Sequence, residues 1–457
     1  MALSIIILAA GKGKRMKSKL PKTLHKIGGK PILEHVYNTA KKLSDKIFIV
    51  YGHGGDQVKE ELEHLSATWV MQEQLLGTGH AVMKALPYIP DEDSVLVLVG
   101  DCPLISEETL HRLLKVAEMH DVSLVVADLL DPTGFGRILQ DQTGRVIAII
   151  EERDATTKQK QITTVNTGLI TASAKNLKTW LPALKAENAQ EEYYLTDIIA
   201  LANADGLSVK AVRTEMADEI LGVNDRIQLA KLERLYQLKI AEQLLMQGVT
   251  IMDPARFDCR GDISIEKDVT LDINTILEGE VKIGENSYIG ANCYIKDAVI
   301  GKDVYIKPNT IIDSAVIDDH CRIGPFARIR PGTQLKSSVH IGNFVEIKKS
   351  SIDTDSKVNH LTYVGDTLIG KAVNVGAGTI TCNYDGVNKH QTIIEDNVFI
   401  GSGVELVAPI KIEKDATIGA GSTITKKVPA GQLTLERSDQ VNIPDWKRPK
   451  KKAKDIK

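Results

Sequence analysis

The chain has 457 residues with 57 basic and 60 acidic side chains, which gives a formal net charge of −3. This length exceeds one ordinary domain, and the balanced charge gives no support for wholesale binding to nucleic acid or to a membrane surface. The apolar runs are too short to span a bilayer, and the five cysteines lack metal-ligand spacing. We therefore expect reduced thiols and a cytoplasmic protein, with neither disulfides nor zinc.

The first predicted element is the apolar run SIIILA, which leads into LAAGKGKRM. The N-terminus lacks a charged n-region and a cleavage site, so we expect a buried strand rather than a signal peptide. Gly11, Gly13 and the basic residues around them, including Arg15, suit an anion. A Walker A loop would need Ser or Thr after Gly-Lys, and a dinucleotide fingerprint would need a small residue in place of Met16. By itself the loop leaves a phosphate site and an ordinary strand-to-helix turn equally open.

Apolar strands and amphipathic helices alternate up to residue 225. The predicted strands after the first are KIFIVYG, SVLVLVG, VSLVVAD and RVIAII. This alternation predicts a parallel or mixed sheet with helices on both faces. Asp101 directly follows the strand SVLVLVG, so its carboxylate is expected at the ligand-binding edge of the sheet. A carboxylate there suits Mg²⁺, which takes few protein ligands.

The next segment, residues 224–248, has apolar residues at helical spacing. We divide the chain into a nucleotide-binding α/β domain (1–227), a helical linker (228–250), a repeat domain (251–440) and a polar, basic tail (441–457) that we expect to be disordered. A helix of this length would extend roughly 35 Å, at ~1.5 Å per residue.

A six-residue aliphatic period dominates the repeat domain. One uninterrupted series is Ile394, Ile400, Leu406, Ile412, Ile418 and Ile424. Five-residue steps at corners separate such series, and the segment CNYDGVNKHQT (382–392) interrupts them as a loop. The period predicts a parallel β-helix in which each short strand stacks on its counterpart one coil away.

Motifs from both halves of the chain occur in one order. They are LAAGKGKRM, LPKTLHKIGGKPILEHV, EQLLGTGHAV, VGDCPLI, TGFGRI, VNTG and GVNDR, followed by GPFARIRPG, GNFVEIKKS, VNHLTYVGD and NVGAGTITCNYDG. The chain thereby resembles the bacterial bifunctional N-acetylglucosamine-1-phosphate uridyltransferase / glucosamine-1-phosphate acetyltransferase family. The resemblance implies an α/β nucleotidyltransferase domain with a Rossmann-like mixed sheet, followed by a left-handed parallel β-helix of hexapeptide repeats.

The resemblance also implies two reactions. Acetyl-CoA and glucosamine 1-phosphate would give N-acetylglucosamine 1-phosphate, which UTP would convert to UDP-N-acetylglucosamine and pyrophosphate. The product would supply peptidoglycan, lipopolysaccharide or other cell-wall polymers.

For uridyl transfer, the resemblance places Arg15 and Lys22 against the triphosphate, as catalytic cations. Without the motif, Lys22 would be interpreted as a solvated lysine. The residues assigned by resemblance to UDP-N-acetylglucosamine are Leu8, Ala9, Ala10, Gly11, Lys22, Gln72, Gly77, Thr78, Gly136, Glu151, Asn166 and Asn224.

The resemblance assigns Asp101 and the Asn224 carbonyl as ligands of Mg²⁺. From the sequence alone, Asn224 is better explained as the N-cap of the linker helix. The family's usual YGD motif is VGD in this chain, so Val99 lacks the tyrosine hydroxyl.

For acetyl transfer, a base must remove a proton from the substrate amine, and histidine titrates in the suitable range. His360 is the candidate base, against the alternative of an ordinary surface histidine. Residues proposed to hold the sugar phosphate recur about one coil apart, and Tyr363 is the candidate for stabilising the oxyanion. These substrate-binding residues are Arg330, Lys348, Tyr363 and Asn374. By resemblance only, the acetyl-CoA residues are Ala377, Asn383, Tyr384, Ser402, Ala420 and Arg437.

Because hexapeptide acyltransferases act between adjacent helices, the resemblance implies a homotrimer through the β-helix, with Arg437 reaching a neighbouring subunit. The expected partners are small-molecule substrates, with no nucleic acid or membrane. Two alternatives are a single-activity nucleotidyltransferase with a regulatory β-helix and a non-enzymatic scaffold. Acetyl transfer from acetyl-CoA would exclude the first, and Mg²⁺-dependent turnover of UTP would exclude the second.

Overall fold

The computed structural model describes residues 2–52 and 55–451. Contacts divide the chain into unit 1 (Met1–Glu242 with Cys259–Gly261) and unit 2 (Gln243–Asp258 with Asp262–Lys457). Within the described residues, no helix is long and apolar enough to cross a membrane. The described part of the predicted tail, residues 441–451, is exposed and has no helix or strand, and residues 452–457 lie outside the described residues.

Unit 1 is built on a mixed sheet with the strand order β11-β7-β10-β6-β1-β4-β5, and β8 and β9 extend it beside β10. Its strands are β1 Leu3–Leu8, β4 Lys46–Gly52, β5 Thr68–Gln72, β6 Ser94–Val99, β7 Val122–Asp128, β8 Arg137–Gln140, β9 Val146–Ile150, β10 Thr164–Ser173 and β11 Val209–Arg213, while β2 Lys26–Ile27 and β3 Lys30–Pro31 form a separate two-stranded sheet. β1 runs parallel to β4 and β6, whereas β10 is antiparallel to β6 and β7. The prediction of a mixed α/β sheet is confirmed.

Helices cover both faces of this sheet. The α-helices of the described residues are α1 Ile32–Lys41, α2 Asp56–Glu61, α3 Thr78–Ala85, α4 Glu107–Ala117, α5 Ala174–Trp180, α6 Ile198–Ala204 and α7 Arg226–Met246. Ile6 of β1 packs in the same core as Leu177 of α5, whereas Ile7 packs in a second core with Leu33 of α1. Successive side chains of a strand point to opposite faces, so an apolar strand such as β1 needs cover on both.

The register of the central strands sets the position of the first candidate site. Leu8 at the end of β1 pairs with Val99 at the end of β6. The loop after Leu8 and the segment containing Asp101 therefore leave the sheet at the same edge. This is the edge at which ligands bind in open α/β sheets.

Unit 2 contains the β-helix. The strands after β11 are β12 Thr250–Ile251, β13 Phe257–Ile265, β14 Thr270–Leu271, β15 Thr275–Ile283, β16 Tyr288–Ile289, β17 Tyr294–Ile300, β18 Tyr305–Ile306, β19 Ile311–Asp313, β20 Ala315–Ile317, β21 Arg322–Ile323, β22 Arg328–Ile329, β23 Thr333–Leu335, β24 His340–Asn343, β25 Glu346–Lys348, β26 Ser351–Ile352, β27 Lys357–His360, β28 Tyr363–Gly365, β29 Thr367–Ile369, β30 Asn374–Val375, β31 Ile380–Cys382, β32 Thr392–Ile394, β33 Phe399–Ile400, β34 Glu405–Val407, β35 Ile410–Ile412, β36 Thr417–Ile418, β37 Thr423–Ile424 and β38 Leu433–Thr434.

Parallel pairing stacks each aliphatic residue on the next coil. Ile323 aligns with Ile341, which aligns with Val358, and all three side chains are buried. In two-residue strands such as β21 the second side chain is buried, and in three-residue strands such as β20 the first and third are buried. One such buried aliphatic residue on each side of a coil, about six residues from the next, gives the six-residue period. The parallel β-helix predicted from the repeats is confirmed, as is the left-handed hexapeptide form that the resemblance implies.

At one corner of each coil, the backbone adopts positive φ. We call these residues the corner column: Asn274, Asn292, Asn309, Phe326, Phe344, Leu361, Gly378, Gly403 and Gly421, with φ between 49° and 73°. Asparagine and glycine tolerate this conformation, but a bulky apolar residue does so at a cost. The middle three positions are therefore unusual.

Candidate active sites

A cavity of about 490 Å³ lies at the carboxyl edge of the sheet in unit 1. The predicted residues that line it are Leu8, Ala9, Ala10, Gly11, Lys22, Gln72, Gly77, Thr78 and Asp101. Its wall also includes Lys12 and Lys14, which belong to the basic loop predicted to suit an anion, and Thr23 and Glu192, which the sequence did not single out for this site. The cavity has the size of a ligand site, and its lysines suit an anionic ligand.

Steric contacts explain two glycines, Gly77 in the wall of this cavity and Gly13 in the loop between its lining residues Lys12 and Lys14. Gly13 has φ 57°, and a Cβ there would lie 2.8 Å from Cβ of Lys22. Gly77 has φ 108°, and its Cβ would lie 2.6 Å from the carbonyl oxygen of Tyr193. Glycine at position 13 therefore brings the loop against Lys22, and glycine at position 77 lets α3 begin directly at the cavity.

Lys22 occupies the centre of the charged cluster. Its Nζ lies 2.5 Å from Oδ2 of Asp101 and 3.3 Å from Oδ1 of Asn224. The side chains of Lys22 and Asp101 are only 12% and 22% exposed. Two oxygens from distant parts of the chain thus converge on one cation, and this donor set also fits a hard divalent metal ion.

A second cavity, of about 350 Å³, shares Asp101 and Val99 with the first. Arg15 and Asn224 line this cavity together with Gly134. The structure therefore does not place Arg15 beside Lys22 in the first cavity. Asp101 borders both cavities, so a group bound in either one would lie near its carboxylate.

Gly136, Glu151 and Asn166 form a separate cluster that lines neither of these two cavities. The Asn166 N–H donates to the carbonyl of Gly136 at 2.8 Å. A Cβ on Gly136 would lie 3.4 Å from Oε2 of Glu151, whose other oxygen accepts from the Thr196 hydroxyl at 3.1 Å. Burial raises the pKa of Glu151, and nearby carboxylates, first that of Asp197, raise it further.

In unit 2, four of the predicted residues occupy one position in successive coils. We call this position, which directly precedes the corner column, the site column: Asn343, His360, Ala377, Ser402 and Ala420. Each next corner N–H donates to the preceding site-column carbonyl, with N···O distances of 3.2 Å to His360, 2.7 Å to Ala377 and 2.9 Å to Ser402. In the coils after that of His360 and Leu361, the site column has only small residues and the corner column only glycine, so both columns leave open space on that side of His360.

The predicted sugar-phosphate residues do not form one cluster within the chain. Lys348 and Tyr363 lie in β25 and β28 of the long sheet and Arg330 directly follows β22 of that sheet, whereas Asn374 lies in β30 of the other β-helix sheet. Arg330 donates to Glu346 Oε1 at 2.7 Å. Asn374 therefore lies on a different face of the β-helix from the two cations.

Tyr363 lies against the loop that interrupts the repeats. A Cβ on Gly365 would collide with both the Tyr363 hydroxyl and the Asn383 side-chain nitrogen, so these two polar groups lie together above this glycine. The Asn383 amide also donates to Asp366 at 2.7 Å. The loop thus brings Asn383 to the face that carries Tyr363.

Two other predicted acetyl-CoA residues lie at the edges of this region. Tyr384 is 59% exposed, and its hydroxyl donates to the carbonyl of Gly386. Nη2 of Arg437 lies 3.7 Å from the position of a Cβ on Gly419, beside the last coils of the same chain. Whether these residues bind acetyl-CoA stays a prediction.

Sequence reasoning missed two charged residues of this region. Lys389, in the loop, lies beside Lys348, whose charge lowers the pKa of Lys389. Glu346 pairs in register with Tyr363. The 17-residue spacing from Tyr363 could have indicated Glu346, but the loop has no period from which to place Lys389.

Among residues 2–52 and 55–451, no group of three or more His, Cys, Asp or Glu side chains is placed to hold a metal ion. Such a group would be needed for a zinc site but not for Mg²⁺, which is bound through few protein ligands and substrate phosphates. The same residues contain no disulfide. Burial raises the pKa of Cys293 to about 11 and of Cys321 to about 12, so these thiols are poor nucleophiles.

Family models match three segments of the chain. Residues 5–161 match the MobA-like NTP transferase domain, and residues 259–339 match the GMPPB C-terminal domain. Residues 391–426 match the bacterial transferase hexapeptide model of six repeats. The two kinds of match, to a nucleotidyltransferase and to hexapeptide transferases, fall in the two halves of the chain.

The chain is also similar over its full length to curated proteins, each with the name bifunctional protein GlmU. The protein from Methylococcus capsulatus is 53% identical, over 100% of this chain and 99% of the relative. Those from Marinobacter nauticus and Aromatoleum aromaticum are 52% and 50% identical, and in each case the match covers 98% of this chain and 99% of the relative.

Proposed function

The chain belongs to the GlmU family of bifunctional proteins, and on this premise we propose which of its residues carry out each of the two reactions. The protein is a uridyltransferase and an acetyltransferase of UDP-N-acetylglucosamine synthesis. The assignment of residues rests on one observation, which is that the two candidate sites lie in different units of the chain. The Lys22–Asp101 cluster lies in unit 1, and the site column with His360 lies in unit 2.

In uridyl transfer, a phosphate oxygen of N-acetylglucosamine 1-phosphate attacks the α-phosphorus of UTP, and the bond to the β-phosphate breaks to release pyrophosphate. Negative charge must be balanced on the attacking, central and leaving oxygens. Lys22 and Arg15 provide positive charge from the two adjoining cavities. The loop from Leu8 to Gly11 contacts the nucleotide, and because the Ala9 N–H already donates to the Val50 carbonyl at 2.8 Å, the N–H groups of Ala10 and Gly11 are the ones that bind it.

The family implies a divalent metal ion in this step, and we assign it as Mg²⁺ held by Asp101 and Asn224. The support is the convergence of Asp101 Oδ2 and Asn224 Oδ1 on the Lys22 ammonium, because oxygens that hold one cation can hold another. When bound, the metal would neutralise phosphate charge. Lys22 would then direct its charge to the triphosphate.

Gln72 offers a reason for the choice of base. Its amide nitrogen donates to the carbonyl of Gly77 at 3.1 Å and lies 2.9 Å from Nδ1 of His80. The amide oxygen is thereby left to accept a hydrogen bond from a ligand in the cavity. Uracil presents a donor at N3, whereas cytosine presents an acceptor there, so this oxygen favours UTP over CTP.

In acetyl transfer, the amine of glucosamine 1-phosphate attacks the thioester carbonyl, and the coenzyme A thiolate leaves. His360 takes the amine proton, and the Tyr363 hydroxyl stabilises the oxyanion of the tetrahedral intermediate. Arg330 and Lys348 bind the sugar phosphate. The acetyl-CoA arm lies along the small residues from Ala377 to Ala420, where the site column and the corner glycines leave space.

A homotrimer would complete this site. Asn374 and Tyr363 lie in different sheets, so a single chain does not present both to one sugar. The apolar corner residues Phe326, Phe344 and Leu361 are 49%, 56% and 62% exposed, and the two phenylalanine rings stack at 5.3 Å. They flank the site column, so a neighbouring copy that covers them would also reach His360.

One reconstitution tests the function. The protein is given glucosamine 1-phosphate, acetyl-CoA, UTP and Mg²⁺, and UDP-N-acetylglucosamine should form. Without acetyl-CoA no product should form unless N-acetylglucosamine 1-phosphate is added. If coenzyme A is released but no uridylated sugar forms, the uridyltransferase activity is contradicted. If coenzyme A is not released and uridylated product forms only when N-acetylglucosamine 1-phosphate is added, the acetyltransferase activity is contradicted.

A further inference from the structure

His360 has a side-chain partner in the preceding coil. Asn343 pairs with His360 in the parallel register of β24 and β27. Oδ1 of Asn343 lies 3.0 Å from Nδ1 of His360, within hydrogen-bond distance. A side-chain carbonyl oxygen can only accept, so the ring nitrogen must donate this bond.

This bond selects one of the two neutral forms of the imidazole. When Nδ1 bears the proton, Nε2 has the lone pair that can take a proton from a substrate. The opposite tautomer would present an N–H to the substrate amine and could not act as a base. The hydrogen bond therefore favours the competent tautomer and also restricts rotation of the ring.

The side chains near His360 make Asn343 the one suited to this role. Ala377, the next residue of the site column, has no polar side-chain atom. Among the described residues, no carboxylate lies within ion-pair distance of His360. Backbone bonds hold both residues in place, since Leu361 N–H donates to the Asn343 carbonyl at 3.1 Å and the Thr362 hydroxyl donates to the His360 carbonyl at 2.7 Å.

We propose that Asn343 is a positioning residue for acetyl transfer, whose side-chain oxygen accepts the Nδ1–H of His360 and keeps Nε2 free to receive the amine proton. The inference rests on the proposed role of His360 as the base. Asn343 itself need not touch either substrate.

The test begins with Asn343→Ala in the full-length protein. Loss of tautomer control by a histidine partner lowers kcat by up to ~10⁴-fold in a serine protease, and for a neutral, half-buried partner we expect roughly 10–10³-fold. The KM values for acetyl-CoA and glucosamine 1-phosphate should change little. Asn274→Gly is the control, because it removes another inter-coil amide bond, to Asn292 at 2.9 Å, in the first coils of the β-helix, and glycine tolerates the φ of 58° at this corner.

Two further variants separate positioning from a general structural effect. Asn343→Asp keeps an acceptor but adds negative charge beside the ring, which favours the protonated imidazole. The acid limb of its rate–pH profile should therefore move to higher pH while the plateau rate is largely retained. In a His360→Ala background, Asn343→Ala should have no further effect on the residual rate.

The results distinguish this inference from the proposed function. A His360→Ala variant with a near-normal rate would refute the role of His360 itself. If His360→Ala is inactive but Asn343→Ala remains within twofold of wild type and Asn343→Asp does not move the profile, only the positioning role is refuted. Equal losses from Asn343→Ala in the presence and absence of His360 would also refute it.

Discussion

At the scale of single residues, Asp101 is the best test of the uridyltransferase site, because it borders both cavities and pairs with Lys22. Removal of the side chain would leave a largely buried ammonium without its partner, which destabilises proteins. Asp101→Asn is therefore the better change, since it retains an oxygen for Lys22 and removes only the charge. We expect uridyl transfer, measured as pyrophosphate release, to fall on the order of 10²–10³-fold.

The control for Asp101→Asn is the acetyl-transfer rate of the same preparation. The residues assigned to acetyl transfer lie in unit 2, so the acetyl-transfer rate should stay near that of wild type. A variant that keeps normal uridyl transfer at limiting Mg²⁺ would contradict the assignment of Asp101 as a metal ligand.

His360 is the corresponding residue of the second site. His360→Ala should lower acetyl transfer on the order of 10²–10⁴-fold, the usual contribution of a positioned proton acceptor. In wild type the rate should fall in acid, because a protonated imidazole cannot accept the amine proton. Release of coenzyme A, followed from acid to mildly basic pH, measures both effects. Uridyl transfer from N-acetylglucosamine 1-phosphate should be unchanged, and a flat pH profile would count against His360.

At the scale of elements, the corner column changes character along the β-helix, and this change can be tested by exchange between coils. Asparagine occupies the corner in early coils and glycine in late ones. Gly403→Asn should fold, because asparagine tolerates positive φ and no atom lies within 4 Å of a Cβ at this position. If the acetyl-CoA arm crosses this corner, its KM should rise about tenfold, equivalent to about 1.4 kcal/mol.

The reverse exchange, Asn309→Gly, is a matched control in an early coil. It removes a side chain at the same corner but on the other side of His360, so the KM for acetyl-CoA should not change. An unchanged KM in Gly403→Asn would show that acetyl-CoA does not lie along this corner.

At the scale of the whole molecule, we expect the proposed homotrimer to be required for acetyl transfer but not for uridyl transfer. Phe326→Asn with Phe344→Asn replaces the stacked rings by the residue found in earlier coils at the same corner. Both rings are about half exposed in the single chain, so the loss in folding stability should be small. If a neighbouring copy covers these rings, light scattering should show a species smaller than three chains, with loss of acetyl transfer. Uridyl transfer should persist, and a fully active trimer would refute this contact.

The sequence by itself determined the course of the backbone. A β-helix coil needs a buried aliphatic residue at each inward position, so the six-residue period specified the stacking register from Ile283 to Ile424. The apolar runs of unit 1 needed cover on both faces, which specified an α/β sheet and placed Asp101 at its binding edge. The motifs then identified the family, since no single spacing distinguishes the two reactions.

Only the tertiary structure decided which side chains meet. Lys22 is 79 residues from Asp101 and 202 from Asn224, so their convergence depends on how strand ends and the start of α7 pack together. Lys389 reaches Lys348 through a loop outside the repeat, where no period exists to place it. The bond between Asn343 and His360 depends on the rotamers of a half-buried and an exposed side chain. A hydrophobic pattern specifies which residues are buried, whereas contacts between polar side chains depend on distances and directions that only the folded chain sets.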